Sequence, residues 1–135
     1  MYIKRLDHVN ICTPNLDAMV AFYRDILGLE PGARPNFPVA GSWHYCDGLP
    51  VVHLVDTKSQ PHDPGPLEHF ALRGDNMKGF LARLKEHDVA HRITIVPDFG
   101  WPSVNIHDPD GNHIEVLFEA EGADGFATNQ ADQAR

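Results

Sequence analysis

Four residues of this 135-residue chain combine metal-ligating side chains with a telling spacing: His8, His53, His69 and Glu115. Each stands among β-branched or apolar neighbours, in LDHVN, VVHLV, LEHFAL and HIEVLF. A buried imidazole or carboxylate in such a setting costs several kcal/mol unless something satisfies it. Two histidines and one carboxylate with open positions suit Fe(II), and also Mn, Co, Ni or Zn, leaving room for a substrate held through two oxygens. A strand histidine satisfied by its own neighbours is the commoner case, so position has to decide. His8 and His69 lie 61 residues apart, and the same shift sets Asn15 over Asn76 and Leu16 over Met77. Val52-His53-Leu54-Val55 lies over Ile114-Glu115-Val116-Leu117 at a shift of 62. Two similar modules of about sixty residues are implied, each opening and closing on a segment with a metal-capable residue. Pairing such modules about a pseudo-symmetry axis would let distant residues converge without a short ligand motif.

The elements that must position these residues follow from periodicity. Ile3 to Cys12 alternates as a strand, with Leu6, His8, Asn10 and Cys12 on one face. After Thr13-Pro14-Asn15, helical spacing of Leu16, Met19, Val20, Tyr23, Ile26 and Leu27 predicts a helix stopped by Gly28. Pro31 to Gly41 reads as a Pro/Gly-rich connection, and Ser42 to Cys46 and Pro50 to Val55 as strands joined at Asp47-Gly48. The polar stretch Asp56 to Pro66 separates the modules, about 1–56 and 67–119, of one domain spanning 1–119. Leu67 to Arg73 then predicts a strand and Asp75 a cap for a helix carrying Met77, Phe80, Leu81 and Leu84. His91 to Val96 and Trp101 to His107 predict two further strands, and Asp108-Pro109-Asp110-Gly111 a turn into a last strand, Asn112 to Phe118. Residues 120–135 lose apolar periodicity and read as a flexible tail.

Composition narrows the partners. Eleven Lys+Arg against nineteen Asp+Glu give a formal charge of −8, which repels nucleic-acid backbones and anionic lipid surfaces. Two cysteines, Cys12 and Cys46, do not make a disulfide scaffold, and MYIKRLDHVN lacks the apolar core of a signal peptide. No run reaches the roughly 18 apolar residues of a membrane helix. The expectation is a cytoplasmic protein with no nucleic-acid or membrane partner. Of the nine histidines, His44, His62, His87, His91, His107 and His113 lack the repeat relation and read as surface or loop residues.

LDHVNICTPNLDAMVAFYRDILGLE, WHYCDGLPVVHLV, LEHFAL and DPDGNHIEVLFE together resemble the vicinal oxygen chelate superfamily, over about residues 1–119. That superfamily includes glyoxalase I, fosfomycin-resistance transferases, extradiol dioxygenases and bleomycin-binding proteins. The resemblance implies an α+β fold in which paired βαβββ modules form an incomplete barrel around a metal site. It places the ligands of one divalent metal per site on His8, His69 and Glu115, with His53 where glyoxalase I carries a glutamate. It also implies a homodimer with sites shared between subunits.

Subfamily positions match no named activity in full. The glutathione-gripping places of glyoxalase I fall on Cys12, Thr57 and Gly65, the fosfomycin-enzyme threonine and arginine on Asn10 and Asp124, and the extradiol tyrosine on Asn105. The leading expectation is a metal-dependent, glyoxalase-like lyase or isomerase acting on a small oxygenated carbonyl substrate, without glutathione specificity. A ring-cleaving extradiol-type dioxygenase and a metal-free drug-sequestering protein are the alternatives. Proton transfer falls to His53 or Glu115, beside a metal that acidifies the substrate and stabilises the developing charge. Asn10, Arg34, Trp43, Tyr45, Phe99, Trp101 and Asn105 are the expected substrate-binding residues, with Trp43 and Trp101, which start equivalent strands of the two modules, as the preferred wall.

Overall fold

A computed structural model of the chain describes residues 2, 5–57, 67 and 69–119. It divides into two compact units, Met1–Asp63 and Pro64–Arg135. In the first, the alternating run forms β1 (Val9–Thr13), and His8 sits immediately before it. Helix α1 (Leu16–Asp25) follows Asn15, and the chain leaves it through Gly28 at φ +71°, a conformation open to glycine without steric cost. Then come β2 (Glu30–Gly32), β3 (Gly41–Cys46) and β4 (Leu49–Asp56), in the sheet order β1-β4-β3-β2. The two outermost segments in sequence, β1 and β4, pair in parallel, with Asn10 beside His53.

Strand pleating sorts this sheet into two faces. Val52, Leu54 and His44 are buried on the side that meets Met19 and Tyr23 of α1, and the rings of Tyr23 and His44 stand 6.0 Å apart. His53, Trp43 and Asn10 point the other way, because Trp43 and Asn10 are the direct neighbours of His53 on its two flanking strands. Each fully buried aliphatic side chain of the helix-facing layer contributes roughly 1.5–3 kcal/mol.

The second unit repeats the order with β5 (His69–Arg73), α2 (Met77–Glu86), β6 (Arg92–Val96), β7 (Trp101–His107) and β8 (His113–Leu117). Its sheet runs β5-β8-β7-β6, again with a parallel outer pair, in which Ala71 is beside Glu115. Met77, Leu84, Val104, Ile106, Ile114, Val116 and Phe118 are buried. The helix cap is Asn76, whose Oδ1 accepts the Gly79 N–H at 3.0 Å; Asp75, expected in that role, accepts the Asn76 N–H at 2.8 Å.

The fold is therefore α+β, with two βαβββ modules. Each sheet is an open four-stranded sheet and neither closes into a barrel. One strand escaped the sequence reading, since Glu30–Gly32 pairs antiparallel with β3 inside the Pro/Gly-rich stretch. The glycine there is a packing requirement: a Cβ on Gly32 would stand 2.7 Å from Cε2 of Tyr45. The expected tail at 120–135, with Asp124, lies outside the described residues, as do His62 and Gly65. Among the described residues no helix is long and apolar enough to cross a membrane.

Candidate functional site

The polar face of the first unit is a stack of rings. His53 lies between His8 and Trp43, each with its ring centroid 3.9 Å from that of His53 and within about 12° of parallel. The stack follows from register: His8 is two residues before Asn10, Asn10 flanks His53 on β1, and Trp43 flanks it on β3. His53 is buried, and its Nε2–H donates to the Pro50 carbonyl at 3.0 Å, leaving Nδ1 as its acceptor. Burial holds its pKa below the ordinary imidazole value, and the adjacent His8 acts in the same direction. The ring is thus held neutral and in one tautomer.

His8 is more open, and its Nδ1–H donates to the Asp7 carboxylate at 2.7 Å. That bond, foremost, holds the Asp7 carboxyl below its usual pKa. A carboxylate on Nδ1 fixes the tautomer that leaves the Nε2 lone pair available, the arrangement found behind metal-bound histidines. Asp7 was not singled out from the sequence, although its place directly before His8 was the available signal.

Further along this face, Phe37 and Trp43 have ring centroids 6.3 Å apart, and the Arg34 guanidinium lies 5.0 Å over the Phe37 ring. Tyr45 is half-buried and donates its hydroxyl to the Ala33 carbonyl at 2.6 Å, so it braces the chain leading from β2. Asn10 is exposed beside His53.

The polar face of the second unit is organised by hydrogen bonds. His69, Ala71 and Arg73 of β5 share it with His113 and Glu115 of β8 and with Asn105 and His107 of β7. His69 Nε2 stands 3.8 Å from Glu115 Oε1. Glu115 is flanked on β7 by Asn105, a buried residue that accepts the His113 Nε2–H at 2.8 Å and donates to the Ser103 carbonyl and Thr94 hydroxyl at 3.1 and 3.2 Å. At the outer edge, the Arg73 guanidinium lies 4.4 Å over the Trp101 ring, which meets Phe99 at 4.8 Å.

The turn before β8 sets this register. The buried Asp108 carboxylate accepts the N–H groups of Asp110 and Asn112 at 3.0 and 2.9 Å and the Asn112 side-chain amide at 2.8 Å. Gly111 closes the turn at φ +87°. A one-residue slip here would turn Glu115 to the opposite face.

Two expectations change. His113 is buried on the same face as Glu115, and His44 is in the core of the first unit; neither is a surface or loop residue. His44 donates Nδ1–H to the Leu29 carbonyl at 2.6 Å and accepts from Ser42 Oγ at 3.2 Å, and burial lowers its pKa. Trp43 and Trp101 stand on the equivalent strands β3 and β7, but at different registers: Trp43 flanks His53, whereas the residue flanking Glu115 is Asn105.

Among the described residues, no three His, Cys, Asp or Glu side chains are gathered so as to hold a metal ion. Taken unit by unit, the donor chemistry suits a cation: in the first, His8 presents Nε2 with Asp7 behind it, and in the second, His69 and Glu115 lie side by side on one sheet face. Of the places where glutathione would be gripped, Cys12 lies within β1 and Thr57 follows β4, donating its backbone N–H to Thr13 O.

Comparison with known proteins agrees with this architecture. The chain is 35% identical to a manganese-dependent 2,3-dihydroxybiphenyl 1,2-dioxygenase of Geobacillus genomosp. 3, over 85% of this chain and 39% of that protein. It is 25% identical to Glyoxylase I 4 of Arabidopsis thaliana, over 86% of this chain and 71% of that one. The chain thus spans about two fifths of the dioxygenase's length. Among solved structures, a putative glyoxalase family protein from Bacillus anthracis superposes with a TM-score of 0.75 at 23% identity, covering 88% of this chain and 98% of that one. The sequence profile of the Glyoxalase/Bleomycin resistance protein/Dioxygenase superfamily matches residues 5–116, and the chain belongs to that superfamily.

Proposed function

We propose that the chain is a cytoplasmic metal-dependent lyase or isomerase acting on a small oxygenated carbonyl substrate, glyoxalase-like but without glutathione specificity. His8, His69 and Glu115 would hold one divalent ion, of Fe, Mn, Ni, Co or Zn. A bound ion there would polarise two neighbouring substrate oxygens and acidify the adjacent C–H. His53, neutral and with its Nε2–H committed to Pro50, would take that proton at Nδ1. Glu115 is the second candidate base. Trp43, Phe99 and Trp101 would supply flat walls, with Asn10, Tyr45 and Asn105 bracing or lining them. A homodimer with shared sites is part of this proposal.

The observation that favours it is the residue beside Glu115. Asn105 stands where ring-cleaving relatives are expected to carry a tyrosine, and its amide is taken up by His113, Ser103 and Thr94. A group so engaged offers no proton to a substrate. The ring-cleaving dioxygenase remains the second reading because of the 35% identical manganese-dependent relative.

Metal-loaded protein tests both. Incubation of small 2-hydroxycarbonyl compounds in D2O, followed by NMR, should show metal-dependent exchange at the carbon beside the carbonyl, lost in His53→Gln. Parallel assays should show poor turnover of methylglyoxal hemithioacetals of glutathione. Ring cleavage of catechols on adding O2 to the Mn(II)- or Fe(II)-loaded protein, without carbonyl exchange, would establish the dioxygenase instead. Failure to take up any divalent metal would favour the drug-sequestering protein.

A further inference from the structure

Among the described residues, Arg34 has no carboxylate partner. Its Nη2 donates to the Val39 carbonyl at 2.9 Å, while its Nε is buried and has no hydrogen-bond partner. No carboxylate among the described residues pairs with it, in a chain carrying nineteen acids. An unsatisfied buried N–H of a charged group is costly and rare in a folded protein. Its planar face lies 5.0 Å over Phe37, and Phe37, Trp43, His53 and His8 continue as successive neighbouring rings. Phe37 and Val39 are nonetheless 49% and 46% exposed, so the apolar surface beside the cation is open.

We infer that Arg34 is the receptor for a substrate carboxylate, and that the substrate is a small planar carboxylic acid whose flat face lies on the Phe37–Trp43 rings. A guanidinium fork matches a carboxylate with two parallel N–H···O bonds. Aromatic rings beside it select a flat, unsaturated body over a flexible one. The inference rests on the reading of this face as the substrate face and adds a substrate class to it.

The test needs no turnover. In Trp101→Phe protein, with chelator present, tryptophan fluorescence reports Trp43. Benzoate is expected to quench it saturably and benzamide far less. Arg34→Gln should weaken benzoate binding by about 30-fold, in line with the loss of charge-assisted bonds, and Arg34→Lys by less. Circular dichroism establishes that each variant is folded; if Arg34→Gln is not, the benzoate and benzamide comparison in the unsubstituted site decides. Equal binding of benzamide, unchanged benzoate binding in folded Arg34→Gln, tighter binding of inorganic phosphate than of benzoate, or no saturable quenching would overturn the inference. Metal uptake by Arg34→Gln, measured separately, should be unaffected, so a failed metal site and a failed carboxylate site give different results.

Discussion

The two modules share topology and register but fill corresponding places with different chemistry. Where the first sets His53 between His8 and Trp43, the second sets Glu115 beside Asn105, with His69 near it. One face is held by stacked rings and the other by a hydrogen-bonded amide and imidazole. A repeated backbone thus supplies two sheets of the same geometry, and single positions decide whether a face presents flat apolar walls or oxygen and nitrogen donors. Behind the sheets the difference recurs, since His44 beside Val52 corresponds to Ile106 beside Ile114.

The sharpest way to break this comparison is to remove metal candidates from each module. His8→Ala, His69→Ala and Glu115→Ala should each abolish binding of about one divalent ion per chain, read by elemental analysis after gel filtration. His53→Phe, which preserves the stack, should retain the metal and lose proton transfer. Metal lost in His53→Phe but kept in His8→Ala would reverse the assigned roles within the first module.

A smaller effect is expected one step behind the proposed ligands. Asp7→Asn weakens the acceptor that orients His8, and metal affinity should fall about 10–100-fold. In the second module, Asn105→Ala leaves the buried His113 Nε2–H without its acceptor, and should cost about 1–3 kcal/mol in urea unfolding. Conversely, Trp43→Phe keeps a ring against His53 and should cost less than Asn105→Ala. If the order were inverted, the stacked face rather than the bonded one would be the stability-determining side.

The smallest effect is a pH dependence confined to the first module. Burial lowers the pKa of His44 below its ordinary value near 6.5, so the unfolded chain binds the extra proton first. Its stabilising contribution is complete above about pH 6.5 and is lost as pH falls through the lowered folded value. Hydrogen exchange at pH 5 should therefore speed up in β3 and β4 relative to β7 and β8, and His44→Gln should reduce the difference, the remainder belonging to His53 on β4, whose pKa burial also lowers. Uniform acceleration in both sheets would locate the titration elsewhere.

Much of this was legible because repeats constrain each other. The shifts of 61 and 62 residues correctly matched Asn10–His53 to Ala71–Glu115, the flanking pairs seen in the two parallel ladders. What escaped depended on contacts between distant segments. β2 looked like a loop because its Pro31 and Gly32 are turn-forming types, yet the glycine is there to let the Tyr45 ring lie across it. His44 alternates with Trp43 and Tyr45, and strand period alone would have put it on the face with Val52 and Leu54. Similarly, His113 shares its face with Glu115 two residues on. That no carboxylate among the described residues pairs with Arg34 has no sequence signature, since it depends on the placement of distant side chains.

The parallel pairing of first and last strands in each module has a kinetic side. His8 meets His53, and His69 approaches Glu115, only after a loop of more than forty residues has closed in each case. Loop closure of that length must be accomplished before the ladder repays it, and such contacts form late in folding. During synthesis the first ring stack becomes possible once β4 is available, and the His69–Glu115 pair only when β8 is. Partly made chains therefore carry His69 before Glu115 can stand beside it.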